Sequence, residues 1–333
     1  MNLSELTTLQ LGGPAGELVE ASTEQQLLEA LATDLPLLVV GGGSNLVVGD
    51  DGFDGRVVLV RTRGIEVLDT SDCAGVTIRV AAGEPWVDVV TRAVTEGWSG
   101  IECLAGIPGS TGATPIQNVG AYGQEVASTV AAVRTVERAT GRISTFANAD
   151  CGFGYRTSRF KAHADEYVVL SVDFQLALSP HSEPIRYDEL AARLSVGIGD
   201  RAPLADVASA VLALRRGKGM VLDPADPDTR SAGSFFTNPV LAAEDVPAEA
   251  PAWPQPDGTV KTSAAWLIEQ AGFGRGWGEG AAGISTKHTL ALVNRGGATT
   301  AELLDCARAI RAGVFGKFGV LLTPEPTLVN CSL

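Results

Sequence analysis

The chain has 333 residues, 45% hydrophobic and 19% charged, which is enough to bury about three quarters of the unfolded surface without staples and to build about two domains. Its formal net charge of −14 repels nucleic acid and anionic membranes at long range and excludes them as partners. An anionic small ligand stays admissible, because local basic groups prevail within a screening length of about 8 Å.

Cysteines 73, 103, 151, 306 and 331 form no CxxC pair and are odd in number. They read as small apolar residues in a reducing compartment. Three scattered histidines, His163, His181 and His288, exclude a metal site. The opening MNLSELTTLQLGGPAGE lacks the basic start and apolar run of a signal peptide. No stretch approaches the roughly 18 apolar residues of a membrane span. A cytoplasmic monomer is expected.

In chain order, Ser22 and Thr23 cap a short amphipathic helix from Glu24 to Ala32, with Gln25 and Gln26 placed for a capping box. Leu35 to Val40 is a buried-strand run that ends in Gly41-Gly42-Gly43-Ser44-Asn45. Val57 to Val60 and the alternating Val76 to Ala82 predict further strands, and Pro85-Trp86 opens a helix that stops at Gly97. Residues 104 to 123 form a glycine-rich loop of a length that usually marks function, with apolar insertions that argue against disorder. Strands return over Val130 to Glu137, Arg142 to Phe146 and Tyr167 to Leu176.

Leu204 to Arg216 is a strongly periodic helix, and residues 241 to 258, rich in Pro and Ala, read as a surface excursion. Ser263 to Ala271 and Thr300 to about Phe315 predict helices, the second capped by Thr299 or Thr300. His288 to Asn294 and Val320 to Thr323 look like strands.

The Gly41 loop has neither the GxGxxG-helix pattern of a dinucleotide-binding turn nor a GKS or GKT ending. It is either a plain strand-to-strand turn or a nest of N–H groups around an anion. The second loop favours the nest. No Lys or Arg stands between Arg92 and Arg134, yet Pro108-Gly109-Ser110-Thr111-Gly112-Ala113 offers backbone donors and two hydroxyls. Gln117, Asn118 and Tyr122, in the run Gln117-Asn118-Val119-Gly120-Ala121-Tyr122-Gly123, can hydrogen-bond to or stack on a heterocycle. Two cation-free glycine loops suit a dinucleotide diphosphate held by backbone dipoles.

GGGSN, PGSTGATPIQNVGAYG, YRTSRFK, GSFFTNP and a terminal PEP, in that order from about Leu6 to Val329, resemble the UDP-N-acetylenolpyruvoylglucosamine reductase (MurB) family of peptidoglycan synthesis. The resemblance implies an α+β fold: an FAD-binding domain of the vanillyl-alcohol-oxidase (PCMH) type, then an α+β substrate-binding domain. The expected FAD domain is 1–200, with subdomains about 1–65 and 66–200. The substrate domain is 201–322, and 323–333 returns to the FAD domain.

The same resemblance implies non-covalent FAD and NADPH as co-substrate, acting on a UDP-sugar enolpyruvate. The cofactor falls to Gly41, Gly42, Gly43, Ser44, Asn45, Pro108, Gly109, Ser110, Thr111, Gly112, Ala113, Gln117, Asn118, Gly120, Ala121, Tyr122 and Arg215.

Resemblance assigns Arg156 to the substrate carboxylate and the developing enolate. It makes Ser234 the proton donor and sets Glu325, as a protonated carboxyl, before the same carbons. On residue type alone these three are as readily a surface arginine, a strand hydroxyl and a turn residue. Tyr155, Tyr187, Lys218, Asn238, Trp253 and His288 fall on the family's substrate positions. The chain has Gln10 where the family usually has arginine, and Pro326-Thr327-Leu328 where an arginine commonly follows the glutamate. Another flavin oxidase or dehydrogenase of the superfamily, or a silent flavin- or sugar-nucleotide-binding module, are the alternatives.

Overall fold

The computed structural model describes residues 1–71 and 73–333 and divides the chain into two compact units. The unit central in sequence holds Gly16–Gly42 and Gly55–Arg216. The terminal unit holds Met1–Ala15, Gly43–Asp54 and Gly217–Leu333.

This division differs from a boundary at 200. The helix Leu204–Gly217 buries Leu204, Val207, Ala210 and Val211, and three of these lie in the central unit's core, so the chain changes unit only after it. Residues 1–15 and 43–54 group with the last third because Leu9, Leu11 and Val47 pack in the core of Phe235, Leu267, Leu303 and Ile310. In the segment expected to return to the FAD domain, Thr327–Val329 pairs in parallel with Leu46–Val48. That partner strand belongs to the terminal unit.

Among the described residues, the central unit has two sheets of three or more strands, besides a two-stranded hairpin. The smaller orders Ala15–Ala21, Phe53–Val60 and Leu37–Val40, the last two parallel. It is faced by the helix Glu24–Leu31, whose N-cap Thr23 forms the predicted capping box with Gln26. The larger sheet is antiparallel and runs Ile143–Ala147, Val130–Glu137, Tyr167–Leu178, Gly75–Ala81, Ile65–Ser71. Its alternation sends Val76, Ile78 and Val80 into the core, where Trp86 meets Phe174 at 5.6 Å between ring centroids.

The helix Trp86–Thr95 follows directly from that sheet. The stretch from Ala82 to the start of this helix fixes the second glycine loop: Trp86 N–H donates to the Gly109 carbonyl, Thr111 N–H to the Glu84 carbonyl and Gly112 N–H to the Ala82 carbonyl.

In the terminal unit an antiparallel sheet orders Ser231–Ser234, Ala291–Asn294 and Ala282–Ile284. The helices Ala264–Gln270 and Thr300–Phe318 bury Leu267, Ile268, Leu303, Leu304 and Ile310 in the same core. The proline- and alanine-rich excursion carries a small sheet, Val240–Leu241, Val260–Thr262 and Ala252–Pro254. The expected strand at 288–294 begins only at Ala291, because the Ser285 hydroxyl accepts from Lys287 N–H and His288 N–H and turns the chain. Residues 320–323 join no ladder; a single bridge follows at Pro324. Among the described residues, no helix is long and apolar enough to cross a membrane, and no cluster of three or more His, Cys, Asp or Glu could hold a metal ion.

Candidate active site

The two glycine loops approach each other closely in the central unit, Gly41 against the Ser110 side chain and Gly42 against the Gly109 backbone. A Cβ on Gly41 would lie 2.1 Å from Ser110 Oγ, and one on Gly42 would lie 2.6 Å from Gly109 Cα. Only glycine permits that approach. Arg61 fastens the first loop from behind, donating from Nη1 to the Gly41 carbonyl at 2.8 Å.

The donor set is narrower than expected. The N–H groups of Thr111, Gly112 and Ala113 donate to Glu84, Ala82 and Ser110, and the Thr111 hydroxyl donates to Glu84 as well. These three residues shape the cradle, and Gly41, Gly42, Gly109 and Ser110 form its edge. Backbone amides at such an edge, with no lysine or arginine in either loop, fit the pyrophosphate of a dinucleotide cofactor such as FAD.

Gly120–Ala121 and Gln124–Glu125 pair as a short hairpin. Its turn residues, Tyr122 (φ 49°) and Gly123 (φ 83°), are both left-handed, as a two-residue hairpin of this twist requires. Glycine is at home there; tyrosine is strained and must be held by its surroundings. One restraint is Tyr187, whose ring meets that of Tyr122 edge-on at 5.2 Å while staying 42% exposed. Gln117 precedes this hairpin in the same loop.

Arg156 stands at the tip of a second tight turn. Gly154 and Thr157 exchange two backbone hydrogen bonds, leaving Tyr155 and Arg156 at the apex, with Arg156 at φ 53°. The guanidinium donates from Nη2 to the Gly120 carbonyl at 2.8 Å and stacks 5.7 Å from the Tyr155 ring centroid. Lys161 Nζ donates to the Arg156 carbonyl at 3.1 Å, and Ser158 donates to Ile116. The run YRTSRFK thus supplies its own support, a role the sequence reading left unassigned to Ser158 and Lys161.

Asn118 joins the two turns. Its amide nitrogen donates to Glu125 and to the Gly154 carbonyl, and its oxygen accepts from Ala127 N–H. A side chain so engaged braces the two turns against each other. Arg215 is buried in its helix. Burial pulls its pKa down to about 10, against an opposing interaction with Tyr122.

In the terminal unit, backbone hydrogen bonds bring Ser234 and Glu325 to one place. Glu325 N–H donates to the carbonyl of Phe235, the neighbour of Ser234, at 2.8 Å. Phe236 bridges Pro324. Asn45 clamps the glutamate's segment: its amide reaches the Glu325 carbonyl at 3.5 Å, and its own carbonyl accepts from Thr327 N–H at 2.9 Å. Gly43 (φ 65°) has the Leu6 carbonyl 1.8 Å from where a Cβ would be. The Gly43–Ser44–Asn45 half of the first loop is therefore built into this unit.

The Asn238 oxygen accepts from Ala264 N–H at 3.0 Å and so helps to start the helix Ala264–Gln270. Trp253 lies on a strand opposite Lys261, 45% exposed. Lys218 and His288 precede and follow a knot around Asp228, which accepts from Thr286 N–H at 2.9 Å and from the Thr286 hydroxyl at 2.6 Å. Lys287 pairs with Asp226 beside it. No motif pointed to Asp228.

A model of the FAD binding domain matches residues 17–147, and one of the UDP-N-acetylenolpyruvoylglucosamine reductase C-terminal domain matches residues 224–329. Fold and cradle define an FAD-binding oxidoreductase of mixed helix and strand. UDP-N-acetylenolpyruvoylglucosamine reductases of Salinispora arenicola and Thermobifida fusca are 57% and 54% identical to this chain, covering 100% and 99% of it and 95% and 97% of their own lengths. The crystal structure of the reductase from Thermus caldophilus superposes with a TM-score of 0.69 at 27% identity, over 99% of this chain and 97% of that one. The chain belongs to the UDP-N-acetylenolpyruvoylglucosamine reductase family.

Proposed function

We propose that the chain reduces the enolpyruvyl group of UDP-N-acetylglucosamine enolpyruvate to give UDP-N-acetylmuramate, with NADPH as the electron source. The observation that carries this reading is the hydrogen-bonded junction of Ser234–Phe235 with Glu325 in the terminal unit; within the central unit, a guanidinium braced on the Gly120 carbonyl agrees with it. Bound FAD would supply the redox chemistry, the relay of a hydride from NADPH to the substrate's methylene carbon.

Hydride arrival leaves charge on the carbon that bears the carboxylate, delocalised as an enolate. Arg156 matches that charge with a planar fork of donors, rigidly presented. Ser234 gives the proton to the carbon. A serine hydroxyl is a weak acid, and an enolate carbon is basic enough to take its proton when a cation steadies the charge. Glu325, protonated, donates a hydrogen bond to the same enolate.

Lys218, Asn238, Tyr187, Trp253, Tyr155 and His288 would hold the UDP-sugar, and Arg215 would hold the flavin. Gly41, Gly42, Gly109 and Ser110 carry the cofactor's pyrophosphate.

An anaerobic two-step experiment tests the proposal. NADPH added to the FAD-loaded protein bleaches the yellow absorbance, and the substrate then restores it. A bleached protein that stays bleached on adding substrate refutes the assignment.

A further inference from the structure

One fully buried carboxylate has no part in the chemistry above. Glu102 is 0% exposed and lies between Ile101 and Cys103. Its Oε2 accepts from Gly100 N–H at 2.7 Å; its Oε1 accepts from Gln124 Nε2 at 2.9 Å and from Glu183 N–H at 2.8 Å. Gln124 completes the knot by accepting from Cys103 N–H at 2.8 Å. A charge in a low-dielectric interior makes such bonds strong, and losing any one is costly.

Three segments of the central unit meet on this carboxylate, and two carry residues of the site. Gln124 belongs to the hairpin whose Gly120 carbonyl anchors Arg156 and whose Tyr122 ring meets Tyr187. Glu183 opens the stretch that ends in Tyr187. The two are also packed backbone to side chain: a Cβ on Gly123 would lie 2.9 Å from Arg186 Cβ. The strained turn at Tyr122 needs an outside restraint, and Glu102 grips the strand beside it.

We propose that Glu102 is a positioning residue: its carboxylate fixes the 120–125 hairpin against the 183–187 segment, and through them sets Arg156 and Tyr187 on the substrate. This role rests on the reading of Arg156 and Tyr187 as substrate contacts.

The test is a double-mutant cycle in the full-length, FAD-loaded protein. Glu102→Gln places an NH₂ group among N–H donors and cannot satisfy all three. It is expected to lower kcat/KM for the UDP-sugar substrate about tenfold, with FAD content unchanged. In a Tyr187→Ala background the same change is expected to have an effect at least about threefold smaller, because contacting residues couple. Effects that simply multiply would make Glu102 a fold-stabilising residue only and overturn the proposal. Wild-type kinetics in Tyr187→Ala alone would instead remove Tyr187 from the site, the distinct failure of the underlying reading. Should Glu102→Gln not accumulate as folded protein, Gln124→Ala, which deletes one donor and keeps the charge, enters the same cycle with the same outcomes.

Discussion

Arg156 donates from Nη2 to the carbonyl oxygen of Gly120 at 2.8 Å, from a left-handed backbone position at φ 53°. Nη1 also reaches the Asn118 carbonyl at 3.5 Å, so both ends of the planar group are positioned by the 118–120 backbone. Lysine carries the charge without the fork. Arg156→Lys is expected to lower kcat by a factor on the order of 10² to 10³, the usual effect of losing one preorganised donor. Steady-state kinetics and flavin absorbance measure it; FAD content should not change.

Ser234 ends its strand beside the carbonyl that fixes Glu325. Ser234→Ala removes one hydroxyl and leaves the strand intact. NADPH should still bleach the flavin at the wild-type rate, while reoxidation by substrate slows by about 10² to 10⁴, the range of a lost general acid. Stopped-flow traces of the two half-reactions separate the effects, and unchanged reoxidation would remove Ser234 from the mechanism.

The cradle makes a steric prediction. A methyl on Gly42 would stand 2.6 Å from Gly109 Cα, with backbone as the obstacle, so the loops must part. Gly42→Ala is expected to cost about 1–3 kcal/mol of folding stability and to lower the FAD content of purified protein, read as the ratio of flavin to protein absorbance.

Two glycines of the helix Thr300–Phe318 should respond in opposite directions. Gly316 faces open space, whereas a Cβ on Gly313 would lie 2.4 Å from the Phe273 ring. Gly316→Ala is expected to stabilise the protein by about 0.5–1 kcal/mol, the helix-propensity gain. Gly313→Ala should destabilise it by about 1–3 kcal/mol through overpacking. Thermal melting of both variants provides the comparison.

Asp228 sets a pH dependence. Burial pushes its carboxyl up, but hydrogen bonds from Thr286 and Ser285 and the nearby Lys287 outweigh this and hold the pKa below the ordinary value. A carboxyl with a lowered folded pKa contributes stability above its unfolded value of about 4 and loses it as pH falls through the folded one. Asp228→Asn should therefore melt below wild type at neutral pH, with the gap closing as the pH drops beneath about 4. A gap independent of pH would show that the charge is not what holds the knot.

The elements legible in the sequence were those with long period or strong punctuation. Thr23 with Gln26, Trp86 before an apolar stripe, and Thr299 with Glu302 marked helix starts that the structure places within a residue or two. Strands of two or three residues, such as Val240–Leu241 and Ala252–Pro254, are too short to show alternation.

Of the site, the glycine loops and the Tyr-Arg, Gly-Ser-Phe-Phe and Pro-Glu-Pro motifs could be read. What they rest on could not. The left-handed turns at Tyr122 and Arg156 break the usual residue preference, and the carboxamide of Asn118 looks the same in sequence whether it faces a ligand or Gly154. Glu102 left one sign, an acid between Ile101 and the apolar run Cys103-Leu104-Ala105.

The terminal unit is assembled from three stretches, and Asn330 reaches Gly52, 278 positions earlier in the chain. On a ribosome that emits the N-terminus first, the early strand Leu46–Val48 waits for its partner until Thr327–Val329 has been made. The central unit, with all its residues made by position 216, can close before then. Stalling or truncating the chain a few residues short of Thr327 would leave one finished half and one with an open strand edge, the form most exposed to aggregation.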